Sequence, residues 1–469
     1  MQTLTPSLAD TLAENLAETL RQRRQQLAER VPFPVMLWSG GDQPRNFPAN
    51  VYPYRASSHF LYFAGLPLAN AAIRLEAGRL TLFMDDATET EALWHGPSQT
   101  RQQVAEQIGA DAAYPLAAQA AGLQGAAVLW AQMGAFQQMV ALLRAQEVDL
   151  AQALAGKVAD NLALAQAIVQ LRMIQDEGAI AQLRQAAKVS IEAHQAGMAV
   201  TAQAQTEAQV RAAMEAVITA NNMACAYGSI VTVHGEVLHN HHYHNPLQPG
   251  DLLLADVGAE TETGWAADIT RTWPVSGQFS SSQRDLYEIV LAAHDACIDQ
   301  VKPGVEYRSL HLLACRTIAE GLVDLGILKG QPDSLVEQDA HALFFPHGVG
   351  HLLGLDVHDM EDLGDLAGYA AGRERSDRFG LSFLRLDRPL EAGMVVTIEP
   401  GFYQVPALLN QPERRRQYED MVNWERLAQF ADVRGIRIED DVRVTAAGAE
   451  VLTAALPTAA TAIEAQVHR

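Results

Sequence analysis

LLLADVGAETETGWAADITRTWP, residues 252–274, sets two carboxylates beside two apolar runs. Leu252-Leu-Leu-Ala reads as a strand ending on Asp256, and Ala267-Asp-Ile-Thr-Arg-Thr-Trp273 carries Asp268 on a second strand. Gly258 and Gly264 lie between them. The segment is therefore expected to turn back as a hairpin that brings the two acids side by side. Apolar residues flank both, which argues for a buried pair over two solvated acids.

The same device recurs downstream. Gly393-Met-Val-Val-Thr-Ile-Glu399-Pro-Gly401 is an apolar strand ending on a glutamate and stopped by Pro-Gly. In Gly435-Ile-Arg437-Ile-Glu439-Asp440-Asp441-Val, Ile436 and Ile438 point one way and Arg437 and Glu439 the other. That pattern predicts a buried charged network. Between these two acid-bearing elements and the first hairpin lies Phe345-Pro-His347-Gly-Val-Gly-His351-Leu-Leu-Gly-Leu-Asp356-Val-His358-Asp359. Three histidines among glycines and leucines point to a site, because glycine lets backbone approach a ligand closely. These acids and histidines are all expected on strands.

Around these motifs the chain falls into blocks. Val35-Met-Leu-Trp38, Ala72-Ile-Arg-Leu75, Leu80-Thr-Leu-Phe83 and Ala127-Val-Leu-Trp130 read as strands between helical pieces, and residues 40–53 as loop. Residues 158–200 read as helical, followed by a helix at about 205–222. The chain is then strand-rich from Tyr227 to Pro274, helical over about 282–327, and strand-rich again over about 344–446. The fold class is α+β, with a smaller α/β domain over residues 1–170 and a larger domain over residues 171–469.

The 469 residues suit two or three domains. A 48% apolar and 19% charged composition belongs to a globular protein. The net charge is −22, which argues against nucleic acid and anionic membranes as partners. Three scattered cysteines, Cys225, Cys297 and Cys315, give no disulfide framework and fit a reducing cytoplasm. Leu8, Leu12, Leu16 and Leu20 recur four apart with acids between them, an amphipathic helix and not a signal peptide. Residues 112–143 lack charge but carry five glutamines, so they read as strand and helix of a water-soluble domain, not as a membrane span.

The sequence lacks a Gly-x-Ser-x-Gly elbow, a His-Glu-x-x-His helix and a Walker loop. What remains is Asp256, Asp268, Glu399 and Glu439 with His351. Four carboxylates in one dry pocket repel, and would take up protons unless cations were present. Two divalent ions would balance them and make a bound hydroxide available at neutral pH. Oxygen-rich ligation with one imidazole suits manganese first, with cobalt or zinc as alternatives. The expectation is that the five meet in space.

At these residues the sequence resembles the proline-specific pita-bread metallopeptidases, aminopeptidase P and prolidase. The resemblance runs over nearly the whole chain and includes Val51-Tyr-Pro-Tyr-Arg55-Ala-Ser-Ser58-His-Phe60-Leu-Tyr-Phe-Ala-Gly65 in a creatinase-like N-terminal domain. The family's order Asp, Asp, His, Glu, Glu falls on Asp256, Asp268, His351, Glu399 and Glu439. The resemblance implies that Asp268 and Glu439 bridge two metals, with Asp256 on one and His351 and Glu399 on the other. It implies Glu399 as proton shuttle, His239, His347 and His358 around the substrate, and Arg437 as the group orienting carboxylates. Arg385 matches the prolidase arginine for a dipeptide's carboxylate, and Tyr227 and Phe402 are candidates for the proline pocket.

The implied activity is a dinuclear Xaa-Pro aminopeptidase, acting on peptides with proline second and forming a homodimer or homotetramer. The alternatives are an Xaa-Pro dipeptidase, to which the long insertions around Glu399 are similar, and a metal-free binding module of the same fold. The hairpin from Asp256 to Asp268 is one residue longer than in the aminopeptidase P pattern, and a bulge is expected to absorb it.

Overall fold

The structure, a computed structural model, describes residues 8–129, 132, 137, 139, 140, 144 and 156–467. The chain divides into two compact units, Met1–Met173 and Ile174–Arg469. In the first unit, helix α1 (Leu8–Arg30) precedes a five-stranded sheet of order β4-β3-β2-β1-β5. Its strands are β1 (Val35–Trp38), β2 (Ala72–Glu76), β3 (Arg79–Phe83), β4 (Ala112–Tyr114) and β5 (Ala127–Val128). The central three are antiparallel, and each outer strand joins in parallel. Every residue of β1 is buried, as a strand covered on both faces requires. Helix α2 (Ser58–Ala64) is buried throughout. The strand expected to reach Trp130 pairs only over Ala127–Val128, and Trp130 lies outside the described residues.

The helical reading of 158–200 resolves into two helices, α3 (Val158–Arg172) and α4 (Glu177–Thr201). They are separate because Asp176 starts α4 as an N-cap, its carboxylate accepting the N–H of Ala179 at 2.8 Å. Helix α5 (Glu207–Ala220) follows. The stretch 282–327 likewise splits, into α6 (Ser281–Gln300) and α7 (Tyr307–Asp324), where Pro303-Gly304 interrupts. Among the described residues no helix is long and apolar enough to cross a membrane.

Two antiparallel ladders organise the second unit. In the first, β6 (Ile230–Thr232), β7 (Leu252–Asp256) and β8 (Thr270–Pro274) form a sheet in which Asp256 faces Thr270 and Leu252 faces Pro274. The register continues unchanged past the strands. Val257 N–H donates to Ile269 O, Ala267 N–H donates to Ala259 O, and Glu260 bridges Ala266. No bulge interrupts it, contrary to the expectation. The hairpin closes in a turn, where Thr261 N–H donates to Trp265 O at 2.9 Å. Because side chains alternate faces along a strand, the unbroken register puts Asp256, Gly258, Asp268 and Thr270 on one face.

The second ladder pairs β9 (Val395–Ile398) with β12 (Asp440–Val444), and β10 (Gly401–Tyr403) with β11 (Gly435–Arg437). Ile398 faces Asp440 and Gly401 faces Arg437, so the two pairings are in step. Glu399 and Glu439 therefore stand opposite one another. The strand-rich reading of 344–446 holds only over 395–403 and 435–444, with turns and short helices between them. Residues 344–394 are turns and short helices, of which Val349–Leu353 runs along β9: Val349 O accepts from Glu399 N–H at 2.8 Å, His351 O accepts from Thr397 N–H at 3.0 Å and Leu353 N–H donates to Val395 O at 3.0 Å, around a Leu352–Val396 bridge. The histidines thus lie outside continuous strands. Gly350, at φ 153°, passes so close to the ladder that a Cβ there would sit 2.2 Å from Thr397 O.

The ladders are fastened to each other. Glu439 N–H donates to Thr270 O at 3.0 Å, and Thr270 Oγ1 donates to Glu439 Oε2 at 2.6 Å. On the opposite face, fully buried Arg271 reaches Asp440 at 2.8 Å, and the other Asp440 oxygen lies 3.0 Å from His294 Nε2 on α6.

Gly258 is where the first hairpin is most constrained. A Cβ there would lie 1.8 Å from Ala267 O and 2.9 Å from Tyr227 Cε1. Gly258→Ala is expected to cost roughly 2–4 kcal/mol, the range of core strain. Denaturant unfolding measures it, and a cost below about 0.5 kcal/mol, typical of an unconstrained site, contradicts the packing described.

Candidate metal centre

The shared face of the two ladders forms the floor of a cleft of about 390 Å³, lined by Asp256, Asp268, Glu399, Glu439, His351 and Arg437. All five residues expected to form one constellation are thus brought together. Asp268, His351 and Glu439 present donor atoms within 4.8 Å of one another, a spacing that can hold a metal ion. His351 is oriented by its backbone: its N–H donates to Thr397 Oγ1 at 3.1 Å, and its carbonyl accepts the N–H of Thr397 at 3.0 Å. Nδ1 lies 3.0 Å from Leu352 O. That leaves Nε2 facing Asp268 at 3.4 Å and Glu399 at 3.7 Å.

Arg437 is 4% exposed and ties the floor together. Its guanidinium donates to Asp256 Oδ2 at 2.6 Å, to Thr270 Oγ1 at 3.0 Å and to Tyr403 Oη at 3.1 Å. Tyr227 lies across Gly258, and its hydroxyl is 2.6 Å from both Asp256 Oδ1 and Asp268 Oδ1. Tyr227 thus stands beside the floor as a partner of both aspartates. Phe402 is not among the residues that line the cleft. It is fully buried and stacks on Phe344 with ring centroids 5.5 Å apart.

The residue on the cleft side of that strand is Tyr403, whose hydroxyl lies 2.8 Å from His347 Nε2. Strand alternation from Glu399 through Gly401 to Tyr403 carried that signal. His239, His347 and His358 line the cleft wall, as does Arg385. The ring of His358 packs 4.2 Å from that of His351. Arg375 and Phe383 also line it and were not anticipated from the sequence. Arg385 pairs with Glu361, which also accepts from His358 Nδ1 at 2.5 Å.

Burial and mutual repulsion act on the acids. Burial, followed by the charge of Asp256, pushes the Asp268 carboxyl up to about 7. Burial pushes Glu399 up to about 7, and pushes Glu439, further repelled by Asp268, well above the usual carboxylate range. Burial lowers His351, keeping its imidazole neutral and able to act as a ligand. The donor set, carboxylate oxygens and one neutral imidazole out of water, fits divalent ions.

An acid-lined floor under a histidine wall, built on paired ladders, is that of a metallopeptidase of the pita-bread fold. The chain belongs to metallopeptidase family M24, which it matches over residues 181–446. Residues 20–128 match the aminopeptidase P N-terminal domain. The chain is similar to the Xaa-Pro dipeptidase of Homo sapiens, 31% identical over 92% of this chain and 89% of that one. It is also similar to a probable Xaa-Pro aminopeptidase of Phaeosphaeria nodorum, 31% identical over 86% of this chain and 84% of that one. Among solved structures, aminopeptidase P from E. coli with the inhibitor Pro-Leu superposes with a TM-score of 0.79 at 28% identity. That match covers 96% of this chain and 98% of the other.

The raised acids give a test. Below their ordinary range of about 4 they are protonated whether the chain is folded or not. Between there and about 7 the folded, metal-free chain keeps protons that the unfolded chain loses. Stability from those protons disappears as pH rises through about 7, while divalent ions bind only the deprotonated acids. The Tm increment from adding Mn²⁺ to chelator-treated protein is therefore expected to grow between about pH 5 and about pH 8. Thermal melts across that range measure it, and a pH-independent increment contradicts it.

Proposed function

We propose that this metallopeptidase hydrolyses the bond between an N-terminal residue and a following proline, acting as an aminopeptidase. The observation that carries the reading is the convergence of four carboxylates and His351 on the floor of one cleft. In this reading Asp256, Asp268, His351, Glu399 and Glu439 hold two divalent ions, manganese first. Bound there, such ions supply Lewis acidity and a water acidic enough to act at neutral pH.

The chain's own residues do the rest. Arg437 and the Tyr227 hydroxyl hold the aspartates in place, as hydrogen-bonded partners of ligands do. His347, backed by Tyr403, and His358 face the cleft where the scissile carbonyl would lie, and steady charge on its oxygen. Glu399 has the most exposed carboxylate of those on the floor, at 16%, and passes a proton to the prolyl nitrogen. That nitrogen has no N–H in the peptide and its φ is fixed, so recognition falls to ring shape and to the free amino terminus.

The dipeptidase reading is favoured by Arg385, a cation in the cleft, and by the likeness to the human Xaa-Pro dipeptidase. The aminopeptidase reading is favoured because Arg385 is already paired with Glu361, and by the likeness to aminopeptidase P over 96% of this chain. Turnover of Xaa-Pro against Xaa-Pro-Yaa peptides decides between them. The expected result is cleavage of the longer peptides. Cleavage of dipeptides alone, abolished by Arg385→Ala, establishes the dipeptidase.

Asp268→Ala removes a carboxylate that faces His351 and takes the Tyr227 hydroxyl. Its expected effect is loss of bound metal by elemental analysis together with a fall in kcat of at least about 100-fold. A metal-free wild type with no peptidase activity overturns the reading.

A further inference from the structure

A side chamber of about 160 Å³ adjoins the cleft and shares His351, His358, Arg375 and Arg385 with it. Its far side is the segment that follows Met360. Met360 is fully buried and takes φ 60°, a conformation that L side chains adopt only at a cost. The anchored turn presents the short helix Glu361–Leu363 toward the cleft. Glu361 pairs with Arg385 through Oε1 and accepts from His358 Nδ1 through Oε2. Four residues on, Asp365 accepts from Arg375 at 2.5 Å, and Arg375 also donates to Leu384 O at 3.1 Å. Both arginines of the cleft wall are thus answered by acids from one five-residue stretch, 361–365.

We propose that Glu361 is a specificity-determining residue that occupies Arg385 with an internal carboxylate and so sets the enzyme against Xaa-Pro dipeptides. The proposal rests on the Xaa-Pro peptidase reading and names the part of the cleft wall that chooses peptide length. A peptide bound with its amino terminus toward the acid floor carries its next bonds toward the wall. A dipeptide ends there, with a carboxylate directly on its proline. That carboxylate can gain Arg385 as a partner only by displacing Glu361. A longer peptide presents a neutral amide at the same distance, and Glu361 leaves it unopposed. The competition is set on an open pair, with Arg385 35% and Glu361 46% exposed. Open pairs are worth up to about 1 kcal/mol, which is roughly fivefold in a specificity ratio.

The test is the ratio of kcat/KM for Ala-Pro to kcat/KM for Ala-Pro-Ala-Ala, measured on the manganese-loaded full chain. Glu361→Gln keeps the size and removes the charge, and is expected to raise the ratio about fivefold, chiefly through KM for the dipeptide. Made in an Arg385→Ala background, the same substitution is expected to leave the ratio where that background set it. A ratio that is unmoved or falls in Glu361→Gln overturns the role of Glu361, as does a rise that persists without Arg385. Glu361→Asp, which keeps the charge, is expected to stay nearer the wild type than Glu361→Gln does. Wild type that turns over neither peptide overturns the Xaa-Pro reading itself, whereas active wild type with an unmoved ratio overturns only this proposal.

Discussion

Like charge held out of water is the constraint on which the rest of the second unit depends. Four acids share one floor, and at low dielectric their repulsion far exceeds what it would be in solvent. Arg437 and the Tyr227 hydroxyl offset part of it at 2.6 Å contacts, yet Asp268 and Glu399 are still pushed up to about 7. Side chains that repel would spread apart on a loose scaffold. Here each sits beside an antiparallel ladder with unbroken register, and Thr270 ties one ladder to the other at Glu439. The floor is a place where backbone hydrogen bonding holds together what electrostatics would separate.

The consecutive acids Glu439, Asp440 and Asp441 show how finely the ladder distributes charge. Strand alternation sends Glu439 to the cleft and Asp440 to the other face. Although burial works against it, Arg271 and His294 hold the Asp440 carboxyl well below the usual range. Asp441 returns to the face of Glu439, where it accepts the backbone N–H of Asp268 at 3.2 Å. Burial pushes its carboxyl well above the usual range. Three neighbours of like charge therefore serve three ends: a cleft donor, a buried ion pair and a support for the next acid.

Much of this was legible in the residues themselves. Carboxylates at the ends of apolar strands, with Gly between them or Pro-Gly after them, announced the first hairpin and the acid-bearing strands of the second ladder, because period-2 patterning and turn residues are local properties. The alternation that separated Arg437 and Glu439 from Ile436 and Ile438 also holds. The same alternation, applied onward from Glu399, would have chosen Tyr403 over Phe402. Other features were not local. Nothing near Tyr227 in sequence says that its hydroxyl crosses Gly258 to reach two aspartates some thirty to forty residues away. The histidines were expected on strands because apolar residues surround them, but glycines at 348 and 350 bring the chain against the ladder, where Val349, His351 and Leu353 hydrogen-bond to it without forming a continuous strand. Arg375 and Phe383 lie in a segment of turns with no periodicity to read.

The floor is built from paired strands whose side-chain directions are fixed by register, so an insertion or shift there would scramble several donors together. Much of the wall is built from the turns of 354–392, beyond the Val349–Leu353 stretch that hydrogen-bonds to the ladder. Descendants of such a chain are free to lengthen, shorten or recharge the wall while inheriting the floor intact. New tastes in peptide can thus arise by drift in one segment, without each lineage having to reinvent its chemistry.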